Sequence, residues 1–568
     1  KGNRGLRNSK SGDEKGLFCG MGVCYECAVA VNGITGKRAC LEPAKDGTDV
    51  RSLDYKTPYN PIPPIISEYK IDSEKTYDIA IIGSGPAGLM AAKTLIGKGL
   101  KVVIIDERFG LGGQYFKQLA KSHSFENKSL NDYQYRRGSE LIKQVQNSDT
   151  EVKLGSTVIA SEKISNNHLN ISILKNEVME LINAKRIIFC TGAYEIARPF
   201  PGWTSPNIIT TGAAQSLLRS DRLNAGKEIV IAGNGPLNFQ LAAELIDNGA
   251  KLKGVIEASP NPFPFKTISL IKSMFYDPNL MIQGSTYLAK LILNRVPILF
   301  KHHVNEVLGK NPSTIKVSPI LDGGKLDINK NVEFSADTLC VGYGFLSNDE
   351  LPRLLGCKYE YKETGVSKII CDQYGRTSLN EVFVIGDGAK IGGAQVAEYE
   401  GKITGNIILQ DFKLKNNVSK SLKYTKKVLN KKKKFQKAIW SVFKSEEIDL
   451  SVANDETILC RCENVTSGEI NSVLEAGYND LSSIKRLSRA GMGRCQGRYC
   501  TNMLVNKLKN FTNIEKTFDS FNPQFPIKPI PISSILCEQP EWKGYKPEPV
   551  TLRKTKIFYT NSSSDSKN

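Results

Sequence analysis

The chain has 568 residues and a formal net charge of +19, with 40% hydrophobic and 24% charged residues. Its length predicts several domains, and its composition excludes a disordered chain. No apolar stretch reaches the roughly 18 residues of a membrane span and no secretory signal is apparent, so we expect a protein of the cytoplasm.

Four cysteines stand close together in residues 18–40, FCGMGVCYECAVAVNGITGKRAC. Because thiols stay reduced in the cytoplasm, this grouping indicates metal ligands rather than disulfides. The first three follow the plant-type [2Fe-2S] spacing, and Gly20 and Gly22 let the backbone wrap a cluster. Zinc is the alternative. The predicted ligands are Cys19, Cys24, Cys27 and Cys40.

The chain starts at Lys1 without a methionine, only eighteen residues before Cys19. Related ferredoxin-like domains begin with a strand hairpin and a helix, so we expect an N-terminal truncation. The missing strands would normally cover the cluster loop. The first cluster is therefore expected to be labile.

A proline-rich linker, KTPYNPIPPIISEY, precedes a unit with the pattern strand, glycine turn, helix, strand: YDIAIIGSGPAGLMAAKTLIGKGLKVVIID. Gly83 permits the tight turn, Gly85 lets the backbone approach a pyrophosphate, and Gly88 lets helix and strand pack closely. Asp106 ends the next strand, where an acid would accept hydrogen bonds from a ribose. This unit predicts a dinucleotide site.

A similar unit follows from Glu228, EIVIAGNGPLNFQLAAELIDNGAKLKGVIEA. It keeps Gly233 and Gly235 but has Asn238 where a third glycine would stand, which weakens the match. Glu257 could hold an adenosine ribose and would disfavour a 2′-phosphate. NAD(H), another adenine nucleotide and a domain without a ligand all stay open.

Two further segments each read as an apolar strand that enters a glycine turn. RIIFCTGAYE contains Thr191 and Gly192, and VFVIGDGAKIGGAQ places Gly386 and Asp387 where an acid would bind a ribityl chain. A helix that opens near Gln395 would point its positive end at a flavin. This arrangement resembles the two-dinucleotide-binding flavoprotein fold, which favours FAD over NAD at the first site.

From Lys420 to Lys444 the chain has ten lysines and no acid, with apolar residues spaced along one side of a helix. The favoured interpretation is a solvated helix that packs between two domains. A docking surface for an acidic partner or membrane is the first alternative, and no nucleic-acid partner is predicted.

A second group of cysteines occurs in CRCENVT and GMGRCQGRYC. Cys-x-Cys is unusual for structural zinc, which is the alternative. These segments resemble the bacterioferritin-associated-ferredoxin type of [2Fe-2S] domain, although the four-residue gap before the last cysteine departs from its pattern. The predicted ligands are Cys460, Cys462, Cys495 and Cys500.

The order of these units resembles the large flavoprotein subunits of hydrogen cyanide synthase, sarcosine oxidase, opine oxidase, and proline or hydroxyproline dehydrogenases. GLFCGMGVCYECAV, DERFGLGGQY, CVGYGFLSNDEL and the last cysteine segments carry the resemblance. It implies an α/β fold with Rossmann-like FAD and NAD-type domains, flanked by a partial β-grasp [2Fe-2S] domain and a small helical one. Gly113 and Gln114 join the expected FAD contacts.

The predicted boundaries are 1–60 for the first cluster domain, 75–200 with 333–412 for the FAD domain, 201–332 for the second nucleotide domain, 413–450 for the basic helix, 451–512 for the second cluster domain and 513–568 for a proline-rich tail.

The resemblance also implies an electron-transferring component of an amine or amino-acid dehydrogenase or oxidase complex. The substrate would be of the sarcosine, proline, hydroxyproline, opine or glycine type. A separate D-amino-acid-oxidase-like flavoprotein would oxidise it, and NAD, a quinone or another carrier would accept the electrons. No catalytic side chain is predicted in this chain. A self-sufficient NADH-dependent reductase and an iron-handling adaptor are the alternatives.

Overall fold

The structure, a computed structural model, describes residues 4–9, 11–53, 75–120, 132–264, 266–309, 313–361, 366–414, 419–512, 521–531 and 534. The predicted proline-rich linker and most of the predicted tail lie outside these residues. No helix in the described ranges combines the length and the apolar content that a membrane crossing needs.

The N-terminal domain holds its cysteine loop between short strands. They are β1 (Arg7–Asn8), β2 (Glu14–Lys15), β3 (Ala28–Val31), β4 (Ile34–Arg38) and β5 (Val50–Arg51). β1 pairs with β2, and β3 lies between β4 and β5, all antiparallel. Residues 16–27 connect the two small sheets, so strands fix both ends of the loop.

A seven-stranded sheet forms the first nucleotide domain. Its strands are β6 (Thr76–Ile82), β7 (Val102–Asp106), β8 (Glu151–Leu154), β9 (Thr157–Ser165), β10 (His168–Lys175), β11 (Val178–Phe189) and β24 (Val382–Val384). Their order is β8-β7-β6-β11-β10-β9, with β24 parallel to β11. The central parallel strands are apolar on both faces. Helices α1 (Pro86–Leu95), α2 (Tyr133–Gln146) and α8 (Ala394–Asp411) pack on one face, and residues of β9, β10 and later segments pack on the other.

The second nucleotide domain has five parallel strands in the order β13-β20-β14-β15-β16. They are β13 (Ile208–Thr210), β14 (Glu228–Gly233), β15 (Lys251–Glu257), β16 (Ile298–Phe300) and β20 (Thr338–Gly342). Four helices belong to this domain: α3 (Thr211–Asp221), α4 (Pro236–Asp247), α5 (Thr267–Tyr276) and α6 (Pro278–Leu293). An antiparallel sheet of β17 (His302–Leu308), β18 (Ser313–Pro319) and β19 (Val332–Ala336) follows.

The predicted return to the FAD domain at residue 333 is wrong by about ten residues. β19 pairs with β18, and β20 lies between β13 and β14 in the second sheet. An apolar strand fits the middle of either parallel sheet, so its sequence does not show which sheet it joins. The chain leaves the second domain only after Gly342.

Short elements then lead back to the first sheet. They are β12 (Ala193–Glu195) paired with β21 (Phe345–Ser347), α7 (Glu350–Leu354), and β22 (Tyr359–Tyr361) paired with β23 (Ser367–Ile369). The basic segment forms α9 (Ser419–Val442), which packs on α5 and α8 with Leu429 and Phe435 buried. The predicted helix between domains is thus present.

The C-terminal domain is small and mostly helical. It contains β25 (Ile458–Cys460), β26 (Val465–Thr466), α10 (Ser467–Glu475), α11 (Leu481–Ser488) and α12 (Cys500–Thr512). A reciprocal capping box of Thr466 and Glu469 fixes the start of α10. Cys460 ends β25, Cys462 lies in the turn before β26, Cys495 lies in the loop after α11 and Cys500 begins α12.

Candidate functional site

The first glycine turn leaves an open cradle at the start of α1. Gly83 has φ +102°, and a Cβ there would lie 2.4 Å from the Cys190 carbonyl oxygen, so the turn requires glycine. At Gly85 a Cβ would meet no atom within 4 Å. Backbone N–H groups at this helix start can therefore receive an anion without obstruction.

Asp106 holds this turn in place. Its carboxylate accepts hydrogen bonds from the Ser84 N–H at 2.7 Å, the Ser84 hydroxyl at 2.6 Å and the Arg108 N–H at 2.9 Å. Burial raises the pKa of Asp106. Gly113 lies against the same turn, since a Cβ there would be 2.7 Å from the Cα of Gly85.

The closing segments line the same cavity. Asp387 accepts hydrogen bonds from the N–H groups of Gly392 at 2.8 Å and Gly393 at 2.9 Å, and burial raises its pKa. The next residue begins α8, and the Oε1 atom of Gln395 is buried without a partner. The predicted residues that line this cavity of about 930 Å³ are Gly83, Gly85, Asp106, Gly113, Gln114, Thr191, Gly192, Gly386, Asp387 and Gln395. Gly88 lies beneath it, where a Cβ would be 2.0 Å from the Gly83 carbonyl oxygen.

The second glycine turn has the same backbone design but a different neighbour. Glu257 accepts hydrogen bonds from the Gly235 N–H at 3.0 Å and the Asn234 amide at 2.8 Å. Asn238, in place of a third glycine, donates to the Gly342 carbonyl at 3.0 Å. At Gly235, however, a Cβ would lie 3.2 Å from the Trp440 indole of α9. The chain itself therefore covers the glycine that a pyrophosphate would approach.

The first cysteine loop gathers its four sulfurs in two pairs. Cys19 hydrogen-bonds to Cys24, and Cys27 hydrogen-bonds to Cys40. Burial alone would raise the pKa of Cys19, but the Cys24 thiol and backbone N–H groups outweigh it and lower the pKa to about 6. Two pairs match two irons with two thiolates each.

Other parts of the chain cover this loop. Cys19, Cys24 and Cys27 are buried, and Cys40 is half-buried. A Cβ at Gly20 would lie 2.8 Å from the Cα of Ala213 in α3. This cover removes the physical reason for expecting an exposed cluster, although its lability stays a prediction.

The second group of cysteines is equally close. The sulfur of Cys462 lies 3.8 Å from that of Cys460 and 3.6 Å from that of Cys495. The hydrogen bonds from Cys462 and Cys500 lower the pKa of Cys460 to about 3. Cys500 therefore joins the group in spite of its unusual spacing. In the described ranges, no set of three or more His, Cys, Asp or Glu side chains is arranged as a single-ion site.

Aromatic residues that the sequence did not single out connect the two cysteine groups. The Phe18 ring lies 5.8 Å from Trp203 and 5.6 Å from Tyr499, measured between centroids. The guanidinium of Arg461 lies 4.1 Å above the Phe18 ring. Phe18 precedes Cys19 and Arg461 stands between two predicted ligands, so both cysteine groups share one core.

The first cysteine loop also touches the large cavity. Met21 and Val23 form part of its wall. Arg38 donates to the Gly22 carbonyl at 2.8 Å and pairs with Glu107 at 3.1 Å, directly after Asp106. Sequence reasoning missed this link because its members are far apart in the chain.

Two further ionisable residues line the cavity and were also missed. Burial, helped by Arg108 and Arg219, lowers the pKa of Lys117 to about 7. Burial raises the pKa of Glu195 to about 7, against hydrogen bonds from Thr210 and Gly212. Both groups can exchange protons near neutral pH. The one sequence signal for Lys117 and Glu195 is that each follows a predicted glycine turn within a few residues.

Comparison with known proteins decides the family. The family model described as pyridine nucleotide-disulphide oxidoreductase matches residues 77–401, more than half of the chain. The chain belongs to this family. Models for a 2Fe-2S iron-sulfur cluster binding domain and a BFD-like [2Fe-2S] binding domain match residues 1–55 and 458–510 of this oxidoreductase. The predicted fold and its flanking cluster domains are confirmed.

Curated relatives support the predicted resemblance. The oxidoreductase is 28% identical to the HcnB subunit of hydrogen cyanide synthase from Pseudomonas protegens, over 80% of this chain and 96% of the relative. It is 25% identical to an opine oxidase subunit from Agrobacterium tumefaciens, over 82% and 92%. The solved structure of L-proline dehydrogenase from P. horikoshii matches with a TM-score of 0.67 and 20% sequence identity. The match covers 94% of this chain and 91% of the dehydrogenase chain, which shows a shared fold.

The residues present fit FAD and two clusters. The open glycine turn, the start of α8 and the unpaired Gln395 oxygen suit a flavin dinucleotide in the large cavity. Each cysteine group has the four thiols that a [2Fe-2S] cluster needs. The chain is therefore an FAD-dependent oxidoreductase with [2Fe-2S] domains.

Proposed function

We propose that this chain is the electron-transferring component of a complex that oxidises an amine or amino acid. The observation that carries the proposal is the shared core around Phe18, which joins the two cysteine groups, while Met21 and Val23 reach the flavin cavity. The three predicted redox centres thus form one series: C-terminal cluster, N-terminal cluster, FAD.

The names of the relatives support a role within a larger assembly. HcnB and the opine oxidase relative are each named as one subunit of an enzyme. For this chain we propose a partner of the D-amino-acid-oxidase type, which would oxidise the substrate and deliver electrons. Substrate choice among sarcosine, proline, hydroxyproline, opine or glycine would then lie in the partner.

The side chains have distinct tasks in this proposal. The N–H groups at the start of α1 would bind the pyrophosphate, and Asp387 and Gln395 would hold the ribityl chain and ring. FAD, when bound, can exchange electrons in pairs, whereas a [2Fe-2S] cluster exchanges them singly. The eight predicted cysteine ligands hold the clusters. Burial brings the pKa of both Lys117 and Glu195 to about 7, so these side chains could take up or release protons beside the flavin.

Anaerobic reduction followed by EPR spectroscopy tests the cluster series. We expect two distinct [2Fe-2S] signals in the wild type. Cys24→Ser should remove one signal and Cys495→Ser the other, while Cys340→Ser, a buried cysteine outside both groups, should keep both. Zinc in place of iron, or one signal only, would contradict the proposal.

Anaerobic affinity purification tests the partner. A co-purifying flavoprotein of the D-amino-acid-oxidase type is the expected result. Purification of a chain that oxidises NADH alone and passes electrons to a ferredoxin would instead support the reductase alternative.

A further inference from the structure

Helix α9 lies between the two dinucleotide sites. A Cβ at Gly393, at the start of α8, would lie 3.3 Å from the side-chain amide of Gln436. A Cβ at Gly235 would lie 3.2 Å from Trp440. Residues four apart share one face of a helix, so a single turn of α9 spans from the flavin side to the second glycine turn. A nicotinamide bound at that turn would have to cross this position to reach a flavin.

The end of α9 is fixed in this position. The Asn234 amide donates to the Phe443 carbonyl at 2.9 Å. Lys266 donates to the carbonyls of Val442 at 2.7 Å and Lys444 at 2.9 Å, an interaction that suits the negative end of a helix. The second site therefore does not fit a pyridine nucleotide, despite the family to which the chain belongs.

An ion pair holds α9 on the N-terminal side of Gln436. Lys432 pairs with the buried Asp277 at 2.6 Å, at the junction of α5 and α6. Breaking such a buried pair leaves an uncompensated carboxylate, which is costly. Anchors along its length thus keep α9 over the cavity.

The space that α9 covers is mostly apolar, although Gln240, Gln283 and Gln436 also line it. Side chains of α4, α5, α6 and α9 line this part of the cavity, among them Phe239, Leu270, Met274, Met281, Leu288 and Ile439. A dinucleotide carries two negative phosphates and needs N–H donors or cations along its path. An apolar lining suits instead a flat, lipophilic molecule.

The entrance is apolar as well. Ile271 and Met274 both line the cavity and are 64% and 44% exposed, so they lie at its mouth. Ile268, one turn earlier on α5, is 70% exposed and does not line the cavity. The amide of Gln436 lies beside Gly393 and also lines the cavity, where it can donate to a carbonyl oxygen.

We propose that this apolar part of the cavity, the acceptor chamber, binds a lipophilic quinone in place of a pyridine nucleotide. The inference rests on the proposed function for its source of electrons. The quinone takes up two electrons and two protons and leaves as the quinol, while the reduced FADH2 that supplies them becomes FAD. Two single electrons that arrive one after the other from the clusters thus leave together in one quinol.

Tryptophan fluorescence of the oxidised holoprotein tests the chamber without turnover. A ubiquinone analogue with a short alkyl tail should quench the emission saturably, and Trp440→Phe should lose this quenching. Ile271→Lys should weaken the apparent Kd at least tenfold by placing a cation at the mouth. Ile268→Lys adds the same charge to the same helix outside the chamber and should leave the Kd unchanged.

Titration with NADH is the opposing measurement. We expect neither saturable quenching nor reduction of the flavin. Saturable NADH binding, or equal quinone affinity in the two lysine variants, would overturn the inference. Because the oxidised protein is used, failure of the cluster series leaves this result intact, and failure of quinone binding leaves the EPR result intact.

Discussion

The two glycine turns of this molecule have the same backbone design but different surroundings. In each, a parallel strand enters the turn, and an acid at the end of the next strand bonds back to it: Asp106 to the Ser84 N–H and Glu257 to the Gly235 N–H. Gly85 faces open space, whereas Gly235 faces Trp440. A glycine motif therefore determines the shape of a turn, and distant residues decide whether a ligand reaches it.

The largest expected effect comes from filling the open turn. Gly85 has φ −71°, so its backbone accepts a side chain, and Gly85→Leu should place that side chain in the pyrophosphate cradle. We expect the flavin content per protein, measured by absorbance, to fall at least tenfold. Gly110→Leu, at another glycine with nothing within 4 Å, is the matched control and should keep its flavin. Full flavin content in Gly85→Leu would show that this turn does not bind the FAD pyrophosphate.

A second change should make the covered turn resemble the open one. Trp440→Ala removes the indole from Gly235 and should raise the affinity for NAD+, measured by calorimetry, at least tenfold over the wild type. The unfolding free energy should fall by less than the roughly 3–5 kcal/mol of a core Trp→Ala change, because Trp440 is only half-buried. Lys437→Ala, exposed on the same helix, should change neither quantity. Tight NAD+ binding by the wild type would remove the contrast between the turns.

The smallest expected effect concerns Glu107, which follows the acid of the first turn and has no acidic counterpart after Glu257. Burial would raise its pKa, but Lys528 and Arg38 outweigh this and lower the pKa to about 2. A lowered carboxyl pKa adds stability that is present above the ordinary value near 4.5 and is lost as the pH falls toward 2.

Glu107→Gln should therefore lower the unfolding free energy at pH 7 by roughly 2 kcal/mol. The difference from the wild type should shrink between about pH 4.5 and 2, followed by denaturant titrations at several pH values. A pH-independent difference would show that packing rather than charge links the cysteine loop to the first turn.

Local motifs predicted the parts whose partners are near in sequence. GSGPAG with a following strand was enough for the turn at Gly83 and the acid at Asp106, because strand, turn and helix are continuous. Cysteine spacing was enough for the first group of thiols, since residues 18–40 are nearly continuous in space. The second group needed the resemblance to a known domain, because its cysteines come from segments that two helices separate. The start of α8 after Gly393 was likewise predictable from an apolar strand that enters a glycine turn.

The remaining features depend on contacts between distant segments. Trp440 covers a glycine 205 positions earlier, and nothing in the spacing of a lysine-rich helix indicates that contact. Phe18, Trp203 and Tyr499 come from three domains, each as an ordinary apolar residue. β20 was assigned to the wrong sheet for the same reason, because an apolar strand does not specify its neighbours.

Arg461 has a consequence for how many electrons the two clusters hold together. Its guanidinium lies over Phe18 and 4.7 Å from the Trp203 ring, donates to the Trp203 carbonyl at 2.8 Å, and is nearly inaccessible to water. Arg461 already pairs with the buried Glu26 at 3.5 Å, and the pair adjoins both cysteine loops. A [2Fe-2S] cluster would gain one negative charge on reduction. An electron on either cluster would engage this same cation, which would leave less stabilisation for a second electron on the other. We therefore expect the two clusters together to hold one electron more readily than two.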